Sequence, residues 1–289
     1  MTWETQYLDL LRHILEHGES RDDRTGVGTW SLFAPKALDI DLAGSSVPLV
    51  TTKKMPWKTI VRELLWFLRG STDSNELEAQ GVTIWKGNTT RAFLDGRGLQ
   101  RLPEGDIGAG YGFQWRHFGA PYETCHSDYA EQGIDQILGL IQSIREDPHS
   151  RRHLLSAWNP AALKDMALPP CHVLAQFYVS SDGGLSCHLY QRSADCFLGL
   201  PFNVFSYSVL THLLAKWTGT SPKRLIVSLG DAHVYKNHEG VVREQLLRTP
   251  LNPPTLKILE ATSLDHVSME DFSLEGYESY DKLSGLMAV

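Results

Sequence analysis

Apolar positions recur at helical spacing near the start of the chain. Tyr7, Leu8, Leu10, Leu11, Ile14 and Leu15 fall on one face, and Gly18 stands where a helix would end. Trp30-Ser-Leu-Phe33 alternates as a strand does, behind the turn-rich run Asp23-Arg-Thr-Gly-Val-Gly-Thr29. The helical period returns at Trp57, Ile60, Val61, Leu64, Leu65 and Leu68, before Gly70. That second helix is apolar almost all round, so Glu63 on it is expected to be partly buried. From Thr89 to Tyr129 scattered glycines and charges replace periodicity, which predicts a long irregular excursion. Ile134, Ile137, Leu138, Ile141 and Ile144 predict a further helix, stopped by Asp147-Pro148.

The pattern then changes. Apolar, aromatic-rich runs at 171–179 and 185–191 flank Ser180-Ser-Asp-Gly-Gly184, a hairpin signature. Residues 205–217 form a strongly apolar helix ahead of Gly219, and strands follow at 225–229 and 256–259 around a helical segment near 236–247. Strands and helices mix without regular βαβ alternation. No linker, composition break or internal repeat interrupts them, so the expectation is one α+β domain over residues 1–289.

Composition narrows the functions open to such a domain. The balance of 42% apolar and 21% charged residues is ordinary for a soluble protein, and the formal charge of -7 argues against general nucleic-acid binding. Any phosphate contact must therefore be local. The first residues lack a basic segment and an apolar one, and no run reaches the roughly 18 apolar residues that span a bilayer. A soluble, cytoplasmic protein is expected, with no membrane or DNA partner. Cys125, Cys171, Cys187 and Cys196 show no C-x-x-C spacing, so they read as reduced thiols, and no metal-ligand spacing is visible.

Candidate chemistry gathers in the second half. Pro169-Pro-Cys-His172 sets a thiol after two prolines at the mouth of a predicted strand, which fits a structural cysteine or a nucleophile equally well. Gln191-Arg-Ser-Ala-Asp-Cys196 offers Arg192, which could lower a nearby thiol pKa and bind an anion, or form a surface ion pair. In Gly199-Leu-Pro-Phe-Asn203 the simplest reading of Asn203 is a helix N-cap.

Taken together, Asp23-Arg-Thr-Gly, Pro48-Leu-Val-Thr-Thr-Lys53, Glu63-Leu-Leu-Trp-Phe67, Ile84-Trp85, Tyr111-Gly-Phe-Gln-Trp-Arg116, Ser150-Arg-Arg152, Pro170-Cys-His172, Gln191-Arg-Ser193, Leu198-Gly-Leu-Pro-Phe-Asn203 and Gly230-Asp-Ala-His-Val-Tyr235 run in the order of one family. Across nearly its whole length the chain resembles the thymidylate synthases. That resemblance implies methylation of dUMP to dTMP with 5,10-methylenetetrahydrofolate as carbon and hydride donor. Cys171 would add to C6 of uracil, with Arg192 near both thiol and phosphate. Arg24, Ser193, Arg151 and Arg152 would complete the phosphate site, the last two reaching across a twofold interface formed by a sheet face in a homodimer.

The resemblance also assigns uracil recognition to Asn203, counts Gln191 among the substrate-binding residues, and gives the sugar hydroxyl to His233 and Tyr235. Glu63 would relay protons, while Tyr111 and His172 complete the network that serves loss of the C5 proton. On the folate side it implies Trp85 beside the pterin, Asp195 as acceptor, and the terminal Ala288 and Val289 as a lid. Lys54, Pro56, Lys86, Ala109-Gly110 and the tail Tyr277-Glu-Ser-Tyr-Asp281 depart from the family pattern, all toward the folate. A deoxyuridylate hydroxymethylase would share the early steps and then add water instead of hydride. A binding-only or RNA-binding paralogue would be expected to lose the thiol or the phosphate arginines, which this chain keeps.

Overall fold

A computed structural model describes residues 2–23 and 25–286. In chain order the elements are α1 (Trp3–His17), β1 (Glu19–Arg21), β2 (Thr29–Phe33), β3 (Leu38–Asp41), α2 (Trp57–Leu68), α3 (Ser74–Glu78), α4 (Arg91–Gly96), α5 (Tyr111–His117) and α6 (Gln136–Glu146). They continue as β4 (Leu154–Ser156), β5 (His172–Val179), β6 (Gly184–Asp195), α7 (Gly199–Thr218), β7 (Ser221–Tyr235), α8 (Glu239–Gln245), β8 (Thr255–Ile258) and β9 (Phe272–Glu275). The α+β expectation holds.

One mixed sheet organises the molecule, with strand order β1-β2-β7-β6-β5-β4 and β3 also paired to β7. Neighbours are antiparallel except β6 and β7, which run parallel and are joined through α7. A parallel pair needs such a crossover, and here the crossover is itself the core. Of its twenty residues, α7 buries fifteen. It is enclosed by β6 and β7 on one side and by α2 and α6 on the other, so it has no polar face to show. Cys171 precedes β5, Arg192 and Asp195 end β6, Asn203 lies in the opening turns of α7, and His233 and Tyr235 end β7. The crossover therefore gathers residues separated by up to sixty-four positions at one end of the sheet.

Several expectations need correction. The helix foreseen at 205–217 begins at Gly199, so Asn203 is inside it and is not its cap. The helix has no side-chain cap at Leu198, and Asp195 instead fixes the turn leading into it, accepting from the amides of Phe197 at 2.9 Å and Leu198 at 3.1 Å. Helix α6 starts after Asp135, whose carboxylate accepts from the Leu138 amide, so Ile134 lies before the helix. Ile134 and Leu138 are exposed, and the buried face is Ile137, Leu140, Ile141 and Ile144. The excursion foreseen at 89–129 contains α4 and α5. Helix α5 buries Tyr111 through Trp115 consecutively, leaving no periodicity to read. Strand β7 runs fifteen residues through Gly230, where a methyl group would stand 2.5 Å from the carbonyl oxygen of Arg192 on β6.

The outer face of the sheet is incompletely covered. Leu154, Tyr178 and Tyr190 are exposed there, beside the polar Gln176 and His188. Among the described residues no helix is long and apolar enough to cross a membrane.

Candidate active site

A cavity of about 1140 Å³ opens at the end of the sheet where β6, α7 and β7 meet. Its wall brings together Glu63, Cys171, Arg192, Ser193, Asp195, Asn203, His233 and Tyr235. Four further expected residues stand directly behind this wall. Tyr111 accepts from the amide of Cys171 at 2.7 Å, and Trp85 donates its indole N–H to Glu63 Oε1 at 2.8 Å. Gln191 Nε2 donates to Asn203 Oδ1 at 3.1 Å, and His172 stacks on the Tyr111 ring at 4.0 Å between centroids. Trp85 therefore braces the carboxylate, while its neighbour Ile84 supplies the apolar wall that the indole was expected to provide.

Arg192 is held as firmly as a guanidinium can be by neutral partners. Its Nε donates to the Pro170 carbonyl at 2.8 Å and its Nη2 to the Pro169 carbonyl at 2.9 Å, with the Trp158 ring 5.6 Å away. The two prolines thus aim both the thiol and the arginine. Nη2 also lies 3.9 Å from Cys171 Sγ. The expected activation of the thiol is only half met. Burial pushes the Cys171 thiol above its ordinary value, and the attraction of Arg192 offsets part of that rise. Cys187 and Cys196 are fully buried, and burial pushes Cys187 up to about 12. Of the four thiols, Cys171 alone faces the cavity.

Glu63 rides α2 with its carboxyl among apolar groups, and burial raises it to about 7, against the opposing pull of the Trp85 hydrogen bond. It can hold or release a proton near neutral pH. His172 is driven the other way, to about 3, by burial, with Nδ1 2.9 Å from the Tyr207 hydroxyl. It stays uncharged at neutral pH and orients Tyr111 from behind. Asp195 accepts both amides ahead of α7 through Oδ1 and lines the cavity.

Two features escaped the sequence reading. Lys53 is buried in the cavity wall, donates to the Phe197 carbonyl and lies 3.6 Å over the Phe197 ring. Burial lowers its ammonium to about 7, with Asp195 pulling it back up. The motif around Lys53 was legible, but no spacing could show that it packs against Phe197, 144 positions further on. His238 is also buried, and its Nε2 lies 2.8 Å from the Leu286 carbonyl oxygen, fixing a tail whose residues 282–285 line the cavity.

The folate-side departures mostly have local structural work. Lys86 pairs with Glu78 at 2.7 Å on the surface, Ala109 packs with Phe113 and Met166, and Gly110 caps α5. The Tyr277 hydroxyl donates to the Val50 carbonyl and accepts from the Met55 amide, strapping the tail down. Arg151 and Arg152 are exposed ahead of β4 and lie away from this cavity within the chain. Arg24, Ala288 and Val289 lie outside the described residues, although Asp23 and Thr25 on either side of Arg24 line the cavity.

Comparison with known proteins agrees with this geometry. The family model described as thymidylate synthase matches residues 5–289. The chain belongs to the thymidylate synthase family. It is 50% identical to the thymidylate synthase of Agaricus bisporus over 99% of both chains. It is 49% identical to that of Saccharomyces cerevisiae over 99% of this chain and 97% of the relative. It is also 51% identical to a bifunctional dihydrofolate reductase-thymidylate synthase of Paramecium tetraurelia, of whose length it spans 61%.

Proposed function

We propose that this thymidylate synthase family member methylates dUMP to dTMP, taking both the carbon and the hydride from 5,10-methylenetetrahydrofolate. The carrying observation is the single wall on which Cys171, Arg192, Asn203, His233 and Tyr235 face Glu63 and Asp195. Uracil C5 is a weak nucleophile. Addition of the Cys171 thiolate to C6 moves an electron pair toward O4, and the resulting enolate attacks the electrophilic one-carbon unit through C5. Asn203, its amide orientation set by Gln191, pairs with the N3–H and O4 edge of the base. His233 and Tyr235 meet the sugar hydroxyl, and Arg192 and Ser193 take the phosphate with Arg24.

Glu63 exchanges a proton near O4 and the folate nitrogen. Tyr111, held by the Cys171 amide and the His172 ring, serves departure of the C5 proton. The free oxygen of Asp195 accepts from the pterin, and the terminal residues close over it. Free thiols and nucleotide chemistry suit a cytoplasmic setting.

The product decides between this reading and a hydroxymethylase. Hydride transfer leaves dihydrofolate in step with dTMP, whereas addition of water returns tetrahydrofolate. Following dihydrofolate absorbance and nucleotide mass together should show one dihydrofolate per dTMP. Hydroxymethylated nucleotide without dihydrofolate would remove the synthase reading and leave the nucleotide-side roles intact.

The active form is a homodimer built on the exposed sheet face, with Arg151 and Arg152 donated to the partner's phosphate site. Support comes from Tyr178, Tyr190 and Leu154, which leave apolar area uncovered on that face, and from the arginines' position at its β4 margin. Mixing an Arg151→Ala/Arg152→Ala chain with a Cys171→Ala chain should restore about a quarter of wild-type activity. Random exchange makes half the dimers mixed, and each of those has one complete site. No recovery after demonstrated subunit exchange would place the arginines elsewhere.

A further inference from the structure

Beyond the catalytic cavity, a second group of reactive side chains converges where the loop after α5 meets the start of α3. Asp73, Cys125 and His126 each present a ligand atom there, all within 4.8 Å of one another. Cys125 Sγ is 3.7 Å from both ring nitrogens of His126, and Asp73 Oδ2 is 3.9 Å from His126 Nδ1. None of the three lines the catalytic cavity. From this geometry we infer that Asp73, Cys125 and His126 form a site for a borderline divalent cation of the zinc class, distinct from the reaction centre.

Two observations carry this. The first is the donor set, one thiol sulfur, one imidazole nitrogen and one carboxylate oxygen, a mixture that suits zinc better than magnesium or calcium. The second is spacing. In a tetrahedral centre with metal–sulfur and metal–nitrogen bonds of ~2.3 Å and ~2.0 Å, neighbouring ligand atoms stand roughly 3.3–3.6 Å apart. The Cys125–His126 edge exceeds this by about 0.2 Å and the Asp73–His126 edge by about 0.6 Å, the third edge lies within 4.8 Å, and closing them takes rotation of the exposed His126 ring and of the Cys125 side chain.

The site is also built. Asp73 spends Oδ1 on the Asn75 amide and side chain at 2.9 Å and 2.8 Å, which turns Oδ2 toward His126. The backbone of Cys125 is fixed by donation to Asp106 Oδ2 at 2.8 Å. Asp106 is fully buried and also accepts from the Tyr122 hydroxyl and the Gly108 amide, both at 2.6 Å. A bound dication would take the Cys125 sulfur as a thiolate, its proton passing to solvent, and would give the Asp73 and Asp106 carboxylates a counter-charge. Water fills the fourth position. The bound ion would tie the loop to the junction of α2 and α3 without entering the reaction.

Cobalt(II) is the direct probe, because thiolate ligation produces a charge-transfer band and four-coordination intensifies the d–d bands. Full-length protein freed of metal by chelation should take up one equivalent per chain with both signatures, and zinc should displace them. The band should vanish in Cys125→Ser, while His126→Ala, a surface change that leaves the fold intact, should weaken binding at least tenfold. Bound zinc should raise the wild-type Tm by a few degrees and leave the Tm of His126→Ala unmoved. Thymidylate formation by both variants should stay within twofold of wild type. No thiolate band at stoichiometric cobalt would overturn the inference. So would a band that survives Cys125→Ser and disappears in Cys171→Ser, which would place the ion on the catalytic thiol.

Discussion

Replacement of Cys171 by alanine is expected to lower turnover by about ten-thousandfold or more, with nucleotide binding changed by less than tenfold. The asymmetry follows from the geometry. The phosphate, sugar and base contacts proposed above fall to Arg192, Ser193, His233, Tyr235 and Asn203, which line the cavity beside the thiol. Arg192 in particular is anchored on the Pro169 and Pro170 carbonyls. Removing the thiol deletes the covalent route and leaves the binding surface standing. Isothermal titration with dUMP, a turnover assay and mass spectrometry of a 5-fluorodeoxyuridylate–folate adduct would measure the three parts. Adduct on Cys125, Cys187 or Cys196, or substantial turnover by the variant, would move the nucleophile elsewhere.

The same cysteine shows what a sequence can and cannot reveal. Helices α1 and α2 and the hairpin at 180–183 were legible because one face or one turn carries the pattern. Helix α7 was shortened in the reading because Gly199-Leu-Pro-Phe-Asn203 looks like a loop. Proline is tolerated in a first helical turn, where amide donors have no intrahelical partner, and here Asp195 fixes the turn that leads into the helix. Motifs named the candidate site residues, of which Glu63, Cys171, Arg192, Ser193, Asp195, Asn203, His233 and Tyr235 line one cavity, while the contacts among them were not legible. That Trp85 braces Glu63, that Gln191 orients Asn203, and that His172 sits uncharged behind Tyr111 depend on contacts across 12 to 61 positions of chain, which no local period encodes. Electrostatics was the least legible part. Arg192 beside a thiol suggested an acidic cysteine, but enclosure by the same residues that position the pair outweighs the arginine's attraction.

Enclosure acts on Glu63 as well, and there it has a pH signature. Glu63→Gln is expected to lower kcat by about 10²–10⁴-fold, the usual range for loss of a positioned acid–base group. In wild type the pH profile of kcat/KM should report a group near 7, since burial raises this carboxyl to about 7. Lys53 competes for that assignment, because burial lowers its ammonium to about 7 in the same cavity. The two separate by variant: the limb should disappear in Glu63→Gln and persist in Lys53→Met. Stability provides an independent reading with a fixed sign. The folded carboxyl binds its proton more tightly than the unfolded one, which ionises near 4.3. Its contribution is therefore complete below the unfolded pKa and is lost as pH rises through about 7. By pH 8 an ionised Glu63 costs the fold roughly 4 kcal/mol at most, and an amide of the same shape escapes that cost while still accepting from Trp85. Glu63→Gln should accordingly melt above wild type at pH 8 and close to it at pH 5, even though it is nearly inactive at both. A variant that loses activity and also melts lower at pH 8 would mean that the ionised carboxylate holds the site together, and Glu63 would then be a structural brace and not the proton relay.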